Sequence, residues 1–195
     1  MKIGIDIDNV ISNFNDTIVE AYLQHDKQLR NTGIINDKAK VFRRGMFDWS
    51  EEEEKDFYYS NIEKWANDFK PIKDAEYYIK KLKQDGNEIY IISGRENGEY
   101  RNPYKLTEEW LEKYDIIYDK LILTNAYNKH EKAEICLKNN IDIMIEDSIE
   151  TCINLINDGI ETYTMNTRFN QNDLPLNRVS TWKEIYYKIS SKYPK

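Results

Sequence analysis

The stretch that decides the fold is Lys2–Asp8, KIGIDID, a short β-branched run that ends abruptly in two acids. Such a run is typical of a buried parallel strand whose carboxyl end opens into a site. Four later runs of the same kind predict further strands: Glu88–Ser93 (EIYIIS), Lys120–Leu123 (KLIL), Ile141–Ile145 (IDIMI) and Ile160–Met165 (IETYTM).

Helical patterns lie between these strands. In Asp74–Gln84 the apolar residues share one face, and Asp85-Gly86 follows as a stop signal. Thr107–Tyr114 opens with a threonine that predicts a helix cap. The other predicted helices are Glu131–Lys138, Ile149–Asp158 and Thr181–Lys195. Strands that alternate with helices over short connections predict an α/β fold, a doubly wound, Rossmann-like parallel sheet.

Residues 13–70 interrupt this alternation because they contain no strand pattern, only the helical stretches Asp16–Leu29 and Ser50–Phe69. Ser50 followed by four glutamates is typical of a capped helix start. We therefore expect a core of residues 1–12 plus 71–195. A small helical cap, residues 13–70, is inserted after the first strand and covers the carboxyl edge of the sheet.

Composition excludes several classes of protein. The net charge of −7 and pI near 5.1 argue against binding to a nucleic acid polymer or to an anionic membrane surface. Two cysteines and two histidines exclude a multi-disulfide scaffold and a histidine-rich zinc hydrolase. The start, MKIGIDIDNV, lacks the apolar core of a signal peptide, and no run is long enough to span a membrane. We expect a cytoplasmic protein; a homodimer remains open.

The acid pair Asp6 and Asp8 is the strongest chemical signal. Alternate residues of an extended strand point the same way, so both carboxylates are expected to project together from the strand end. Two converging carboxylates repel each other unless a cation or a shared proton offsets their charge. Mg²⁺ prefers hard oxygen ligands of this kind. A polar strand end without function is the alternative interpretation.

Ser93 and Gly94 close the second strong strand. A hydroxyl and a backbone N–H at such a turn can cradle a phosphate oxygen, and glycine permits close approach. Later, the segment NKHEK offers Lys129 and Lys132 before a predicted helix. Either lysine could neutralise phosphoryl oxygens. The alternative for Ser93-Gly94 is an ordinary turn, and the alternative for the lysines is a solvated helix start.

Another apolar strand ends in Glu146-Asp147, which are further candidate metal ligands, whereas Asp142 fits a structural role better. All these residues follow strands, and ligands bind at the carboxyl side of an open parallel sheet. The chain resembles the haloacid dehalogenase (HAD) superfamily of phosphohydrolases in the order of its four motifs. These are an acid pair, a Ser-Gly turn, a lysine and a second acid pair.

Within that superfamily the chain looks most like the 5′(3′)-deoxyribonucleotidase family, over Ile3–Phe14, Pro71–Arg95, Thr107–Leu111 and Ile141–Ser148. The resemblance implies a HAD core with a helical cap and a Mg²⁺-dependent phosphomonoesterase that uses a phospho-aspartate intermediate. Family members commonly have two aspartates where Glu146-Asp147 stands, and often glycine where Asn9 stands. The glutamate can still bind Mg²⁺.

The resemblance also implies residue roles. Asp6 matches the nucleophile, Asp8 the general acid and base, Ser93 the phosphate-binding hydroxyl, and Lys132, with Lys129 as second choice, the phosphate-neutralising lysine. The implied metal ligands are Asp6, the main-chain carbonyl of Asp8, and Glu146 or Asp147. Phe14 matches an aromatic residue that lines the nucleobase pocket.

The cap offers further aromatic residues that could sandwich a base: Phe42, Phe47, Trp49, Tyr58, Tyr59 and Trp65. Phe47 and Trp49 are the candidates that we carry forward, and a packed cap core is the alternative. Arg43 and Arg44 face either a substrate phosphate or solvent. The expected partner is a small phosphomonoester, and the resemblance implies a nucleotide. The alternative substrate is a sugar phosphate or another small phosphometabolite, and the non-enzymatic alternative is a receiver-like phospho-acceptor module.

Overall fold

The computed structural model describes residues 1–36 and 45–193. The strands are β1 (Lys2–Ile5), β2 (Glu88–Ser93), β3 (Lys120–Leu123), β4 (Ile143–Glu146), β5 (Glu161–Met165) and β6 (Asn177–Val179). The helices are α1 (Phe14–Leu29), α2 (Glu51–Asp68), α3 (Ala75–Gln84), α4 (Pro103–Lys113), α5 (Glu131–Asn139), α6 (Ile149–Asn157) and α7 (Trp182–Lys192). None of these helices is both long and apolar enough to cross a membrane.

The six strands form one parallel sheet in the order β3-β2-β1-β4-β5-β6, which confirms the predicted α/β fold. Both faces of the sheet are covered. Ile91 and Ile145 pack in one apolar cluster with Trp182 of α7, whereas their neighbours Ile92 and Met144 pack in a second cluster with α5 and α6. Because successive strand residues point to opposite faces, near-continuous apolar strands are what a doubly wound sheet requires.

The helical insertion leaves and rejoins the core at neighbouring points. The backbone N–H of Asn13 donates to the Lys70 carbonyl at 2.9 Å, and the N–H of Lys70 donates to Asn13 Oδ1 at 2.8 Å. Helix α2 starts with a capping box between Ser50 and Glu53, as the sequence predicts. Phe42, Arg43 and Arg44 lie outside the described residues.

Two predicted boundaries and one missing strand differ from the structure. Strand β1 ends at Ile5, not at Asp8, because the chain turns immediately after the strand. Helix α4 begins four residues before Thr107, with proline in its first turn, so Thr107 is a buried mid-helix residue and not the cap. Strand β6 is absent from the prediction because three residues carry too short a pattern to recognise.

Candidate active site

A tight turn after β1 places both predicted acids in one cleft. The Ile7 carbonyl accepts three backbone N–H groups, from Val10 at 3.2 Å and from Ile11 and Ser12 at 2.8 Å. Asp6 and Asp8 line a cleft of about 250 Å³ at the carboxyl edge of the sheet. The prediction that an extended strand aims both side chains is therefore wrong in its geometry, since a turn does so.

Asp6 lies at the buried end of this cleft and is held by Lys132. The Lys132 ammonium donates to Asp6 Oδ1 at 2.9 Å and to Glu146 Oε2 at 2.5 Å, and all three side chains are buried. Burial alone would lower the pKa of Lys132, but the two carboxylates raise it, so the lysine stays charged. Burial raises the pKa of Asp6 to about 7, although Lys132 opposes this rise.

The second acid pair lies beside the first. Glu146 Oε1 accepts the backbone N–H groups of Asp147 at 3.2 Å and Ser148 at 3.0 Å, at the start of α6. Asp147 Oδ2 accepts a hydrogen bond from Asn9 Nδ2 at 2.9 Å. Burial, together with the charges of Glu146 and Asp6, raises the pKa of Asp147 well above its usual range.

This arrangement fits a divalent cation. One carboxylate oxygen from each of Asp6, Glu146 and Asp147 lies within 4.8 Å of the others. These three acids and Asp8 place four carboxylates near one another in the cleft, and the cations that pair with them among the described residues are Lys132 and Arg95. A hard divalent cation such as Mg²⁺ would balance the remaining charge and suits oxygen donors.

Arg95 is a site residue that sequence reasoning missed. Its Nε donates to Asp8 Oδ2 at 3.0 Å and its Nη2 donates to Asp8 Oδ1 at 2.6 Å, while Ser12 Oγ donates to Asp8 Oδ1 at 3.2 Å. The arginine is only 1% exposed. Such a two-pronged contact fixes the carboxylate plane. The sequence offered one signal for this role, since Arg95 is a charged residue two positions after the end of β2 at Ser93.

Ser93 also lines the cleft, and its hydroxyl is buried with no hydrogen-bond partner among the described residues. An unpaired buried hydroxyl is costly, so a ligand oxygen or water is expected there. Gly94 permits the neighbouring loop to approach, because a Cβ added to it would lie 3.1 Å from Cα and Cβ of Ala126.

The predicted aromatic residues divide into two groups. Phe14, at the start of α1, lines the cleft, as does Tyr58 of α2. Phe47 and Trp49 are not among the described lining residues. They pack on Tyr22, with ring centroids 5.6 and 4.8 Å from it, and so belong to the aromatic interior of the insertion.

The two candidate lysines also differ in position. Lys132 contacts Asp6 directly, whereas Lys129 lines the cleft without a recorded ion pair in the described part of the chain. The cleft lining also includes residues that sequence reasoning missed. Among them are Glu99 and Tyr127, which lie in loops with no motif to mark them.

The fold is similar to several solved HAD structures. A haloacid dehalogenase-like hydrolase from Streptococcus pneumoniae matches with TM-score 0.66 and 15% identity, over 96% of this chain and 97% of that chain. A HAD family hydrolase from Deinococcus radiodurans R1, with bound phosphate and sodium, matches with TM-score 0.65 and 12% identity, over 97% and 95%. HAD-hydrolase YfnB from Bacillus subtilis, bound to magnesium, matches with TM-score 0.63 and 15% identity, over 96% and 97%.

A comparison with the curated proteins gives no match. The family model described as 5′ nucleotidase, deoxy (pyrimidine), cytosolic type C protein (NT5C) matches residues 1–193. This match argues against the receiver-like phospho-acceptor module, the non-enzymatic alternative. It also agrees with the order of the motifs whose residues line one cleft. The chain is therefore a phosphatase with a HAD fold, and it belongs to the 5′ nucleotidase, deoxy (pyrimidine), cytosolic type C protein family.

Proposed function

We propose that this protein is a Mg²⁺-dependent nucleotidase that releases phosphate from deoxyribonucleoside monophosphates through a phospho-aspartate intermediate. The observation that carries the proposal is the buried Asp6 carboxylate, which accepts a hydrogen bond from Lys132 and shares a cleft with Asp8. Asp6 Oδ1 is bonded to Lys132, which leaves Oδ2 without a recorded donor among the described residues.

The reaction proceeds in two displacements on phosphorus. Asp6 attacks the phosphorus atom, the ester P–O bond breaks, and the leaving oxygen takes a proton from Asp8. Water then attacks the phosphorus of the acyl phosphate and gives a proton to Asp8, so that inorganic phosphate leaves and Asp6 is restored. Two steps through a covalent intermediate replace one difficult displacement.

Other cleft residues stabilise the charge on the phosphoryl oxygens. Lys132 supplies a fixed positive charge beside Asp6, and the unpaired Ser93 hydroxyl supplies a hydrogen-bond donor. The residues that would hold Mg²⁺ are Asp6, the main-chain carbonyl of Asp8, Glu146 and Asp147. When bound there, the ion neutralises charge on the transferring group.

The family and the cleft wall together support a nucleotide as substrate. The matched family is described as 5′ nucleotidase, deoxy (pyrimidine), cytosolic type C protein, and this description supports a deoxyribonucleotide as substrate. Phe14 and Tyr58 line the cleft, and an aromatic ring offers a stacking surface to a base. We therefore infer that the base lies against Phe14 and not against Phe47 or Trp49.

We also propose a cytoplasmic location. Cys136 and Cys152 are both buried free thiols. Unpaired cysteines are typical of a reducing compartment.

The test is phosphate release from deoxyribonucleoside monophosphates and sugar phosphates, with Mg²⁺ and after chelation. We expect Mg²⁺-dependent turnover with deoxyribonucleoside monophosphates preferred. Asp6→Asn should lower this turnover by at least about a thousandfold, because an amide is a poor nucleophile. The matched control is Asp142→Asn, since Asp142 Oδ2 accepts the Lys2 backbone N–H outside the cleft.

Equal turnover by the Asp6→Asn variant and the wild type would contradict the covalent mechanism. Preference for sugar phosphates would retain the phosphatase chemistry and overturn the nucleotidase assignment. Full activity after exhaustive chelation would contradict the role of the cation.

A further inference from the structure

Three side chains from separate segments, Tyr58, Glu99 and Tyr127, meet in the lining of the cleft. Tyr58 OH, from α2 of the insertion, donates to Glu99 Oε2 at 3.1 Å. Tyr127 OH, from the loop after β3, donates to Glu99 Oε1 at 3.3 Å. All three residues line the cleft that contains Asp6. The backbone N–H of Glu99 donates to Asn97 Oδ1 at 3.1 Å, which fixes the loop that carries it.

Glu99 carries a charge that its neighbours do not neutralise. Its recorded side-chain partners are two neutral hydroxyls, and no ion pair joins it to a cation within residues 1–36 and 45–193. Its carboxylate is held in place by these two hydroxyl groups. Two lysines, Lys129 and Lys132, line the same cleft. Lys132 pairs with Asp6 and Glu146, which leaves Lys129 as the lysine of the cleft lining that could oppose Glu99.

We propose that Glu99 selects substrates with a single phosphate. Its carboxylate repels a second phosphate on the leaving group and accepts hydrogen bonds from hydroxyl groups of the leaving group. This proposal rests on the proposed phosphatase function and adds the class of leaving group. Asp6 and Glu99 line one cleft of about 250 Å³, so the leaving group of a small substrate bound at Asp6 shares this confined space with Glu99.

The physical reason is a difference in charge between two parts of the cleft lining. Beside Asp6, phosphoryl oxygens are favoured by Lys132 and by the Ser93 hydroxyl, which has no hydrogen-bond partner in the described part of the chain. Where Glu99 lines the same cleft, its carboxylate disfavours any further anion and accepts donors such as a sugar hydroxyl. Like charges separated by several ångströms in a partly dry cleft repel strongly enough to give roughly tenfold discrimination.

The experiment compares two substrate pairs that differ by one phosphate. The first pair is thymidine 5′-monophosphate and thymidine 3′,5′-bisphosphate, and the second is hydroquinone monophosphate and hydroquinone bisphosphate. We measure kcat/KM at saturating free Mg²⁺. The wild type should favour each monophosphate by about tenfold, and high salt should reduce this preference because ions screen the repulsion.

Glu99→Gln keeps the size of the side chain and its acceptor oxygen but removes the charge. It should raise the kcat/KM ratio of bisphosphate to monophosphate by roughly tenfold in both pairs. Glu99→Asp retains the charge and should retain most of the discrimination. The matched control is Glu96→Gln, which removes an exposed charge on the same loop that does not line the cleft.

An unchanged ratio in Glu99→Gln, or a wild-type preference for the bisphosphates through Lys129, would overturn the proposal while the phosphatase function stands. The hydroquinone pair keeps this test independent of the nucleotide assignment. Should Glu99→Gln fail to fold, as judged by circular dichroism, the salt dependence of the wild-type ratio decides the question. Absence of any phosphate release would instead contradict the proposed function.

Discussion

At the scale of single residues, the contact between Arg95 and Asp8 makes the sharpest prediction. The guanidinium binds both carboxylate oxygens, which a lysine ammonium cannot do in the same plane. Arg95→Lys should keep the charge but let Asp8 rotate, so kcat should fall by roughly 10- to 100-fold with little change in KM. Steady-state kinetics on an alkyl phosphate measures this loss.

The leaving group separates this positioning role from a general structural one. An aryl phosphate with an acidic leaving group needs less proton donation. The loss in its phosphoryl-transfer step, measured as the burst of released phenol, should therefore be smaller. Arg101→Lys is the control, because Arg101 is 88% exposed and makes only a 3.6 Å contact with Glu63. Equal losses for both substrates would contradict the role of Arg95 in orienting Asp8.

At the scale of elements, Asn9 joins the metal-binding acids to the first helix of the insertion. Its Nδ2 donates to Asp147 Oδ2 at 2.9 Å, and its Oδ1 accepts the backbone N–H of Asn15 at 2.9 Å, in the first turn of α1. Asn9 has a φ of 66°, a left-handed conformation that asparagine tolerates and glycine adopts freely. The Asn9 side chain thus satisfies a backbone N–H in the first turn of α1 and also orients Asp147, a candidate metal ligand.

Asn9→Gly should therefore keep the turn while removing both contacts. We expect the affinity for Mg²⁺ to fall about tenfold, as is usual when a ligand loses its supporting hydrogen bond. The free energy of unfolding should fall by about 1 kcal/mol through the lost cap. Isothermal titration calorimetry and urea unfolding measure these effects.

The control for that substitution is Asn31→Gly. Asn31 follows the end of α1, is exposed and has a φ of 56°, so the same change at a left-handed asparagine takes place outside the cleft. Unaltered Mg²⁺ affinity in Asn9→Gly would contradict the role assigned to its amide.

At the scale of the whole molecule, the cleft carboxylates couple stability to pH and to the cation. Burial raises the pKa of Asp6 from 3.8 to about 7 and raises that of Asp147 well above its usual range. Between about pH 4 and pH 7 the folded protein thus binds more protons than the unfolded chain. Its stability without metal should fall as the pH rises through this window.

Mg²⁺ should reverse this loss, because binding requires ionised carboxylates and releases their protons. At a concentration about 100-fold above Kd, the ion stabilises the folded state by about 2.7 kcal/mol, or roughly 5–10 °C in Tm. We expect this shift at pH 8 and a much smaller one at pH 5, measured by differential scanning calorimetry. Sodium chloride at the same ionic strength is the control, and an equal shift at both pH values would contradict the coupling.

The candidate site was largely predictable from the sequence because each of its motifs follows a recognisable apolar strand. Asp6, Ser93 and Glu146 stand at or just after the ends of β1, β2 and β4. Parallel pairing brings those ends to one edge, so the order of motifs along the chain predicts their meeting in space. Lys132 follows the same logic at the start of α5.

What only the tertiary structure decided is the direction and partner of individual side chains. Arg95 meets Asp8 across 87 positions of the chain, and Tyr58 meets Glu99 across 41, contacts for which no periodic pattern exists. Phe47 and Tyr58 are both aromatic residues of the insertion, yet one packs on Tyr22 and the other reaches the cleft. Hydrophobic periodicity determines which elements form and which edge gathers the polar residues, because burial repeats along the chain. The packing of distant helices and loops determines which of those residues touch.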